Sequence, residues 1–337
     1  MLYIRADGNE EIGTGHIMRC LSIAAAHRKS NGDCVFLTAD TKMKPLLDEQ
    51  GFRVICIDST WNDLDKETEK MEVLIRKHGI KKLLVDSYFI ARDYLERLHK
   101  LTYLIYMDDI DAFIYPCSEL INYNIYADKL DYPTRYPNTK LKLGPAYVPL
   151  REEFSNLALR QIRKQVKKVL VTTGGSDPFN VAGEIVRHAV EQSNLSGLHY
   201  DIVAGRFNMH LSDLHELSKQ HPDITIHQNV SEISKLMIDC DIAVSAGGST
   251  LYELCACSVP TIVFSMADNQ IPAVSAFSEG CMIGCGDWRN EDQHCLDNIV
   301  TGLVKLTEDT FLRQYLSTNC RKLVDGFGAF RILDNLK

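Results

Sequence analysis

The sequence predicts an α/β protein made of two doubly wound, Rossmann-like halves that face each other across a cleft. Three observations predict it. Short apolar runs alternate with longer amphipathic stretches from end to end, the mark of βα units and a mostly parallel sheet. The alternation breaks once, at the two prolines and the charged run of "LGPAYVPLREEF", residues 143 to 154. A chain of 337 residues also suits two domains of about 150 residues each. We therefore place a first domain over 1–149 and a second over 150–337.

In the first half "LYIRAD", "DCVFLTAD", "FRVICID", "KKLLVDS" and "TYLIYMDD" read as strands rich in Val, Ile, Leu and Tyr. Between them lie helical stretches such as His16 to Lys29 and Leu64 to His78. In the second half the strands are "KKVLVTTGG", "HYDIVAG", "ITIHQN", "DIAVSAGG" and "PTIVFS". The last stretch, Asp309 to Lys337, is helical in pattern and is expected to pack back on the first half. Ligands of open α/β sheets bind outside the carboxyl ends of the strands, so functional residues are sought there.

Composition narrows the partners. A net charge of -8 argues against nucleic acid, which needs a basic field. No run of 18 apolar residues exists to span a membrane, and "MLYIRADG" enters a strand directly, without signal-peptide layout. The eleven cysteines are odd in number and form no C-x-x-C pair, so they read as reduced, buried thiols of a cytoplasmic protein. A monomer is expected.

Two junctions in the second half carry the clearest local pattern. "VLVTTGGSDPFN" runs from a strand through Gly174, Gly175 and Ser176 toward a helix, with Asp177 as N-cap and Pro178 at the first helical position. "IAVSAGGSTLYEL" repeats the layout through Gly247, Gly248, Ser249 and Thr250. Free backbone N–H groups at a positive helix end make an anion site, and two such junctions suit a diphosphate. Tight turns alone would also explain the glycines. Glu253, one turn into the second helix, can accept from two vicinal ribose hydroxyls, although a helix dipole alone favours a glutamate there. Asp268, Asn269 and Gln270 of "FSMADNQ" follow a strand and can reach a sugar or phosphate, or cap the next helix.

The first half offers "IGTGHIMRC", residues 12 to 20. Gly13 and Gly15 begin a dinucleotide fingerprint, but Met18 stands where the third glycine is needed for close packing. The residue that matters is His16. At a helix N-terminus the dipole disfavours the cationic imidazole, which suits a base; a helix-capping histidine is the plainer alternative. Tyr88 in "VDSYFI" lies just past a strand end, where packing is the commoner role. Asp109-x-Asp111 in "MDDIDA" has the spacing of a metal-binding D-x-D, but helix ends already serve the phosphates, and neither a metal nor another cofactor is expected.

Taken together, "RADGNEEIGTGHIMRC", "VDSYFI", "IYMDDI", "LGPAYVPLREEF", "GGSDPFN" and "SAGGSTLYEL…ADNQ" make the sequence resemble the PseG family. These are UDP-2,4-diacetamido-2,4,6-trideoxy-β-L-altropyranose hydrolases of pseudaminic acid biosynthesis; spore-coat polysaccharide proteins are their relatives. The resemblance implies a GT-B fold and cleavage of a UDP-sugar by water at the anomeric carbon, with inversion and without a metal. It also implies that the catalytic histidine is His16 and the active-site tyrosine Tyr88. It places the nucleotide on the Gly174–Ser176 loop, Asn180, the Gly248–Thr250 loop and Glu253. The sugar of the spore-coat relatives need not be the altrose derivative. Two rivals stand beside this reading: a GT-B glycosyltransferase passing the sugar to an acceptor hydroxyl, and a non-catalytic nucleotide-sugar binding protein.

Overall fold

Five-residue runs such as Leu2–Ala6 and Cys34–Thr38 show no apolar–polar alternation, and both are buried along their whole length. Strands of that kind belong in a parallel sheet covered on both sides. A computed structural model, which describes residues 1–205, 207–290 and 292–334, places them so. The chain divides into two compact units, one of Met1–Glu152 with Phe327–Lys337 and one of Glu153–Gly326. The division thus falls three residues beyond 149/150, and the end of the chain belongs to the first unit.

The first unit holds β1 (Leu2–Ala6), β2 (Cys34–Thr38), β3 (Arg53–Cys56), β4 (Lys82–Asp86), β5 (Tyr103–Met107), β6 (Glu119–Asn122) and β7 (Lys140–Leu143). All are parallel, in the order β3-β2-β1-β4-β5-β6-β7. Leu83, Val85, Leu104 and Leu120 pack beneath Met71, Ile75, Leu95 and Leu98 of the covering helices. Each such burial contributes about 1.5–3 kcal/mol. Strand order reverses between β1 and β4, so the ends of these two strands open the crevice where ligands of such sheets bind.

The second unit repeats the plan with β8 (Lys168–Thr172), β9 (His199–Ala204), β10 (Ile224–Gln228), β11 (Ile242–Ala246), β12 (Thr261–Ser265) and β13 (Ile283–Asp287). Their order is β10-β9-β8-β11-β12-β13, again parallel. Val169, Val171, Val244 and Ile262 meet Ile185, Leu214, Ile299 and Leu303 in its core. Here the reversal lies between β8 and β11.

Two helical expectations change in detail. The stretch Leu64 to His78 opens as a 3-10 turn, Leu64–Glu67, before the α-helix Thr68–His78. The stretch Asp309 to Lys337 is two helices: Thr310–Leu323, capped by Asp309 through the amide of Leu312 at 2.8 Å, and Gly328–Leu333. Residues 335–337 lie outside the described residues. The Gly328–Leu333 helix packs on the Gly15–Lys29 helix of its own unit. The buried ammonium of Lys142 holds its C-terminal end through the carbonyl of Ile332, where a cation meets a helix dipole favourably. All eleven cysteines are free; nine are buried. No helix among the described residues is long and apolar enough to cross a membrane.

Candidate functional site

In the first unit the strand β1 ends in a loop held from below. Arg5, fully buried in β1, pairs with Glu67 at 2.6 and 2.9 Å and with Asp7. Asp7 in turn accepts from the amide of Ala39 at 2.8 Å. The loop itself is closed by Asn9, whose side-chain oxygen accepts from the amides of Glu11 and Ile12 at 2.8 and 3.0 Å. Gly13 takes a left-handed backbone, φ 71°, which favours glycine. The Gly15–Lys29 helix starts two residues later and carries His16 in its first turn, 7% exposed. A Cβ built at Gly15 would meet no atom within 4 Å, so packing within the chain does not demand that glycine.

β4, the neighbour of β1 across the reversal, delivers the partner that sequence reasoning missed. Asp86 closes β4, and its Oδ1 lies 2.6 Å from Nδ1 of His16. An ionised carboxylate only accepts, so Nδ1 donates and Nε2 is left as the proton acceptor. Burial opposes the charge on Asp86, but Arg19 and then His16 outweigh it and hold its carboxyl well below the usual carboxylate range. A signal existed: an acidic residue ends "KKLLVD" at the carboxyl end of a central strand. Tyr88, two residues on, packs edge-on against His16 with ring centroids 4.5 Å apart. Its hydroxyl donates to Asp109 at 2.9 Å. Desolvation and then Asp109 push this phenol above its ordinary range, so it is a neutral donor.

Asp109 and Asp111 are each committed to an arginine. Arg19 holds Asp109, and Arg135 holds Asp111 at 2.5 Å. Among the described residues no group of three His, Cys, Asp or Glu is placed to hold a metal ion.

In the second unit β8 pairs with β11, which sets the two glycine junctions side by side at the reversal. Gly174 takes φ 85°. The turn rests against Gly205 after β9, where a Cβ would come within 2.3 Å of the Gly174 carbonyl oxygen and 2.4 Å of that of Gly175. Only glycine lets the turn lie there. Gly247 has a packing reason too, since a Cβ would meet Val274 at 2.5 Å, whereas at Gly175 and Gly248 it would meet nothing within 4 Å. Ser176 is exposed.

One expectation at the first junction is overturned. The helix begins at Val181, not at Pro178, with Asn180 in the left-handed region at φ 53° as its flanking residue. Buried Asp177 accepts from the amides of Val181 and Ala182 at 2.8 and 3.1 Å. Its carboxylate therefore occupies the helix end that was expected to be open to an anion. Anion-binding capacity stays with the turn amides and with the second junction. There Leu251 and Tyr252 donate back to Gly248 and Ser249, and among the described residues the amides of Ser249 and Thr250 donate to no backbone carbonyl.

Glu253 lies in the first turn of the short Thr250–Ala256 helix, half-buried. Gln270 is used internally, its Oε1 accepting from the amide of Met266 at 2.8 Å, a bond back into the loop and not a cap on the Ile271–Ser278 helix that follows. Asp268 pairs with Arg289 at 2.7 Å and Asn269 is exposed. Within the first unit, then, His16, Tyr88, Gly13 and Gly15 come together; within the second, the two glycine junctions do.

Two doubly wound parallel sheets in succession, each with its own reversal, make this a GT-B fold. The crystal structure of MurG from Acinetobacter baumannii matches 99% of this chain and 98% of its own, with a TM-score of 0.71 at 12% identity, a likeness of fold. In sequence the chain is similar to the UDP-2,4-diacetamido-2,4,6-trideoxy-β-L-altropyranose hydrolase of Campylobacter jejuni. The two are 27% identical over 74% of this chain and 85% of that protein. It is likewise similar to the spore coat polysaccharide biosynthesis protein SpsG of Bacillus subtilis, 23% identical over 98% of this chain and 95% of that one. An uncharacterized protein of Methanocaldococcus jannaschii is 26% identical over 79% of this chain, which spans 56% of that protein's length. No family model matches the chain.

Proposed function

We propose that the protein hydrolyses a UDP-linked amino-deoxy sugar of the 2,4-diacetamido-2,4,6-trideoxy-β-L-altropyranose type, releasing free sugar and UDP without a metal. The observation that carries the reading is the His16–Asp86 pair, in which Nδ1 is held by a carboxylate and Nε2 is left to take a proton. Water, deprotonated at Nε2 of His16, forms the new bond to the anomeric carbon as the bond to the diphosphate oxygen breaks, inverting that carbon. Asp86 steadies the imidazolium that results, the role of the acidic member in hydrolytic triads. Tyr88 stands beside the base as a neutral hydroxyl. The leaving diphosphate needs no acid: amides of the Gly174–Ser176 turn and of Gly248–Thr250 receive its charge, and Glu253 takes the ribose hydroxyls. The relative from Campylobacter jejuni, named for this hydrolysis, supports the choice of water over an acceptor hydroxyl.

The test is a panel of UDP-sugars incubated with the protein and no acceptor, followed by mass. Equal amounts of UDP and free sugar are expected from the 2,4-diacetamido-trideoxy substrate. Turnover that begins only when a sugar or lipid acceptor is added would mark a glycosyltransferase, and binding without any release would mark a nucleotide-sugar binding protein.

A further inference from the structure

We infer that Arg19 is a positioning residue for the proposed reaction, one that fuses the His16–Asp86 pair and the Tyr88–Asp109 pair into a single electrostatic unit. The inference rests on the reading of His16 as the base. Arg19 lies one turn after His16 on the same helix, its side chain 11% exposed. Its Nε donates to Asp86 Oδ2 at 2.6 Å and its Nη2 to Asp86 Oδ1. Its Nη1 donates to Asp109 Oδ2 at 2.5 Å and to the Tyr123 hydroxyl at 2.8 Å. One guanidinium thus bridges carboxylates from the ends of two adjacent strands, β4 and β5. One of these carboxylates holds the candidate base and the other accepts from the candidate tyrosine.

Two carboxylate partners do not by themselves mark a working arginine, since Arg5 also has two, Glu67 and Asp7. Arg19 differs in that one of its partners holds the candidate base and the other the candidate tyrosine. Holding both has two chemical consequences. Although burial works against its own charge, Arg19 is kept firmly cationic by Asp109 and Asp86. It thereby keeps Asp86 ionised, so that the proton taken from water stays on the imidazole and does not pass to the carboxylate. The fork also fixes both planes: Asp86 can offer Oδ1 to Nδ1 only in the orientation Arg19 sets, and Tyr88 finds its acceptor only where Arg19 holds Asp109. Two carboxylates and one guanidinium leave one net negative charge, which accommodates the imidazolium formed in the reaction. A lysine, a point charge without the planar fork, cannot reproduce this bridge.

The groups facing the imidazole are Asp86 from β4, Arg19 itself with Nη2 3.1 Å from Nδ1, and Tyr88. Behind them stand Asp109, the Tyr123 hydroxyl and the Cys20 thiol, which lies 3.5 Å from Asp86. Because Arg19 is cationic and Asp86 anionic, removing them must move the acid limb of the rate profile in opposite directions. Arg19→Met and Asp86→Asn, with Arg19→Lys as the conservative change, are assayed for kcat, KM and UDP affinity across pH in the full chain. Expected is a fall in kcat of about 10⁴-fold in Asp86→Asn, the size found when the acidic partner of a hydrolytic histidine is lost. A smaller fall of about 10–100-fold is expected in the two Arg19 variants, the size found for outer-shell partners that orient a metal-bound histidine, with UDP affinity unchanged in all three. The acid limb moves to higher pH in Arg19→Met and to lower pH in Asp86→Asn. Arg19→Lys keeps the wild-type limb at reduced kcat, and it decides the matter if Arg19→Met does not fold. Wild-type kcat in Arg19→Lys, or limbs that shift together or not at all, would overturn the proposal. If His16→Leu turns over normally, the base reading fails instead, a result these variants cannot mimic.

Discussion

Gly205 gives the sharpest way to perturb the candidate phosphate turn without touching it chemically. In Gly205→Ala the new Cβ would sit 2.3 Å from the carbonyl oxygen of Gly174 and 2.4 Å from that of Gly175. Ordinary non-bonded contact is about 3.5 Å, so the turn must retreat by about 1 Å. Both obstacles are backbone atoms and cannot swing aside. Overpacking of this kind costs about 1–3 kcal/mol of stability. Loss of one amide hydrogen bond to a charged phosphate costs about 1.5–3 kcal/mol, roughly 10–100-fold in UDP affinity. Calorimetric titration with UDP reads the second effect and urea unfolding the first. Gly284→Ala is the control. It adds a methyl against the Ser278 hydroxyl at 2.2 Å, a milder clash because that side chain can turn aside, on β13 three strands from β8, and should leave UDP affinity unchanged. Folded Gly205→Ala protein that binds UDP as tightly as wild type would refute the placement of the diphosphate at this turn.

Two further outcomes are expected. Glu253→Ala weakens UDP by about 1.5–3 kcal/mol, a lost charge-assisted hydrogen bond, and weakens a 2′,3′-dideoxy analogue less; equal losses would make Glu253 a helix-end charge only. Turnover survives EDTA, since Asp109 and Asp111 are already held by Arg19 and Arg135; a loss that magnesium or manganese restores would show that a cation carries the diphosphate.

Much of this was legible in the sequence because fully buried parallel strands are plain apolar runs. The strands not read from the sequence are those whose residues hide their burial. "ELIN" and "KLKL" carry Glu119 and Lys142, which are buried because they pair with each other at 2.6 Å. β13, "IGCGD", holds two glycines. The site was half legible. His16, Tyr88 and the glycine junctions stand out because glycine and histidine punctuate a strand–helix turn. Asp86 and Arg19 did not, since their meaning lies in a pairing 67 residues apart that only the β1–β4 reversal creates. The capping role of Asp177 was legible, but its consequence was not: a carboxylate that satisfies Val181 and Ala182 also takes the helix end from a ligand.

The most direct test of the central claim is the turnover of His16→Leu beside its UDP affinity, measured with the diacetamido-trideoxy UDP-sugar and no acceptor. A general base is worth about 10²–10⁴ in rate, roughly 3–5.5 kcal/mol of barrier. A loss of that size is expected with UDP affinity close to wild type, because the nucleotide is assigned to residues of the second unit. Near-normal turnover, or a protein that no longer binds UDP, would contradict it and leave His16 a structural cap on its helix.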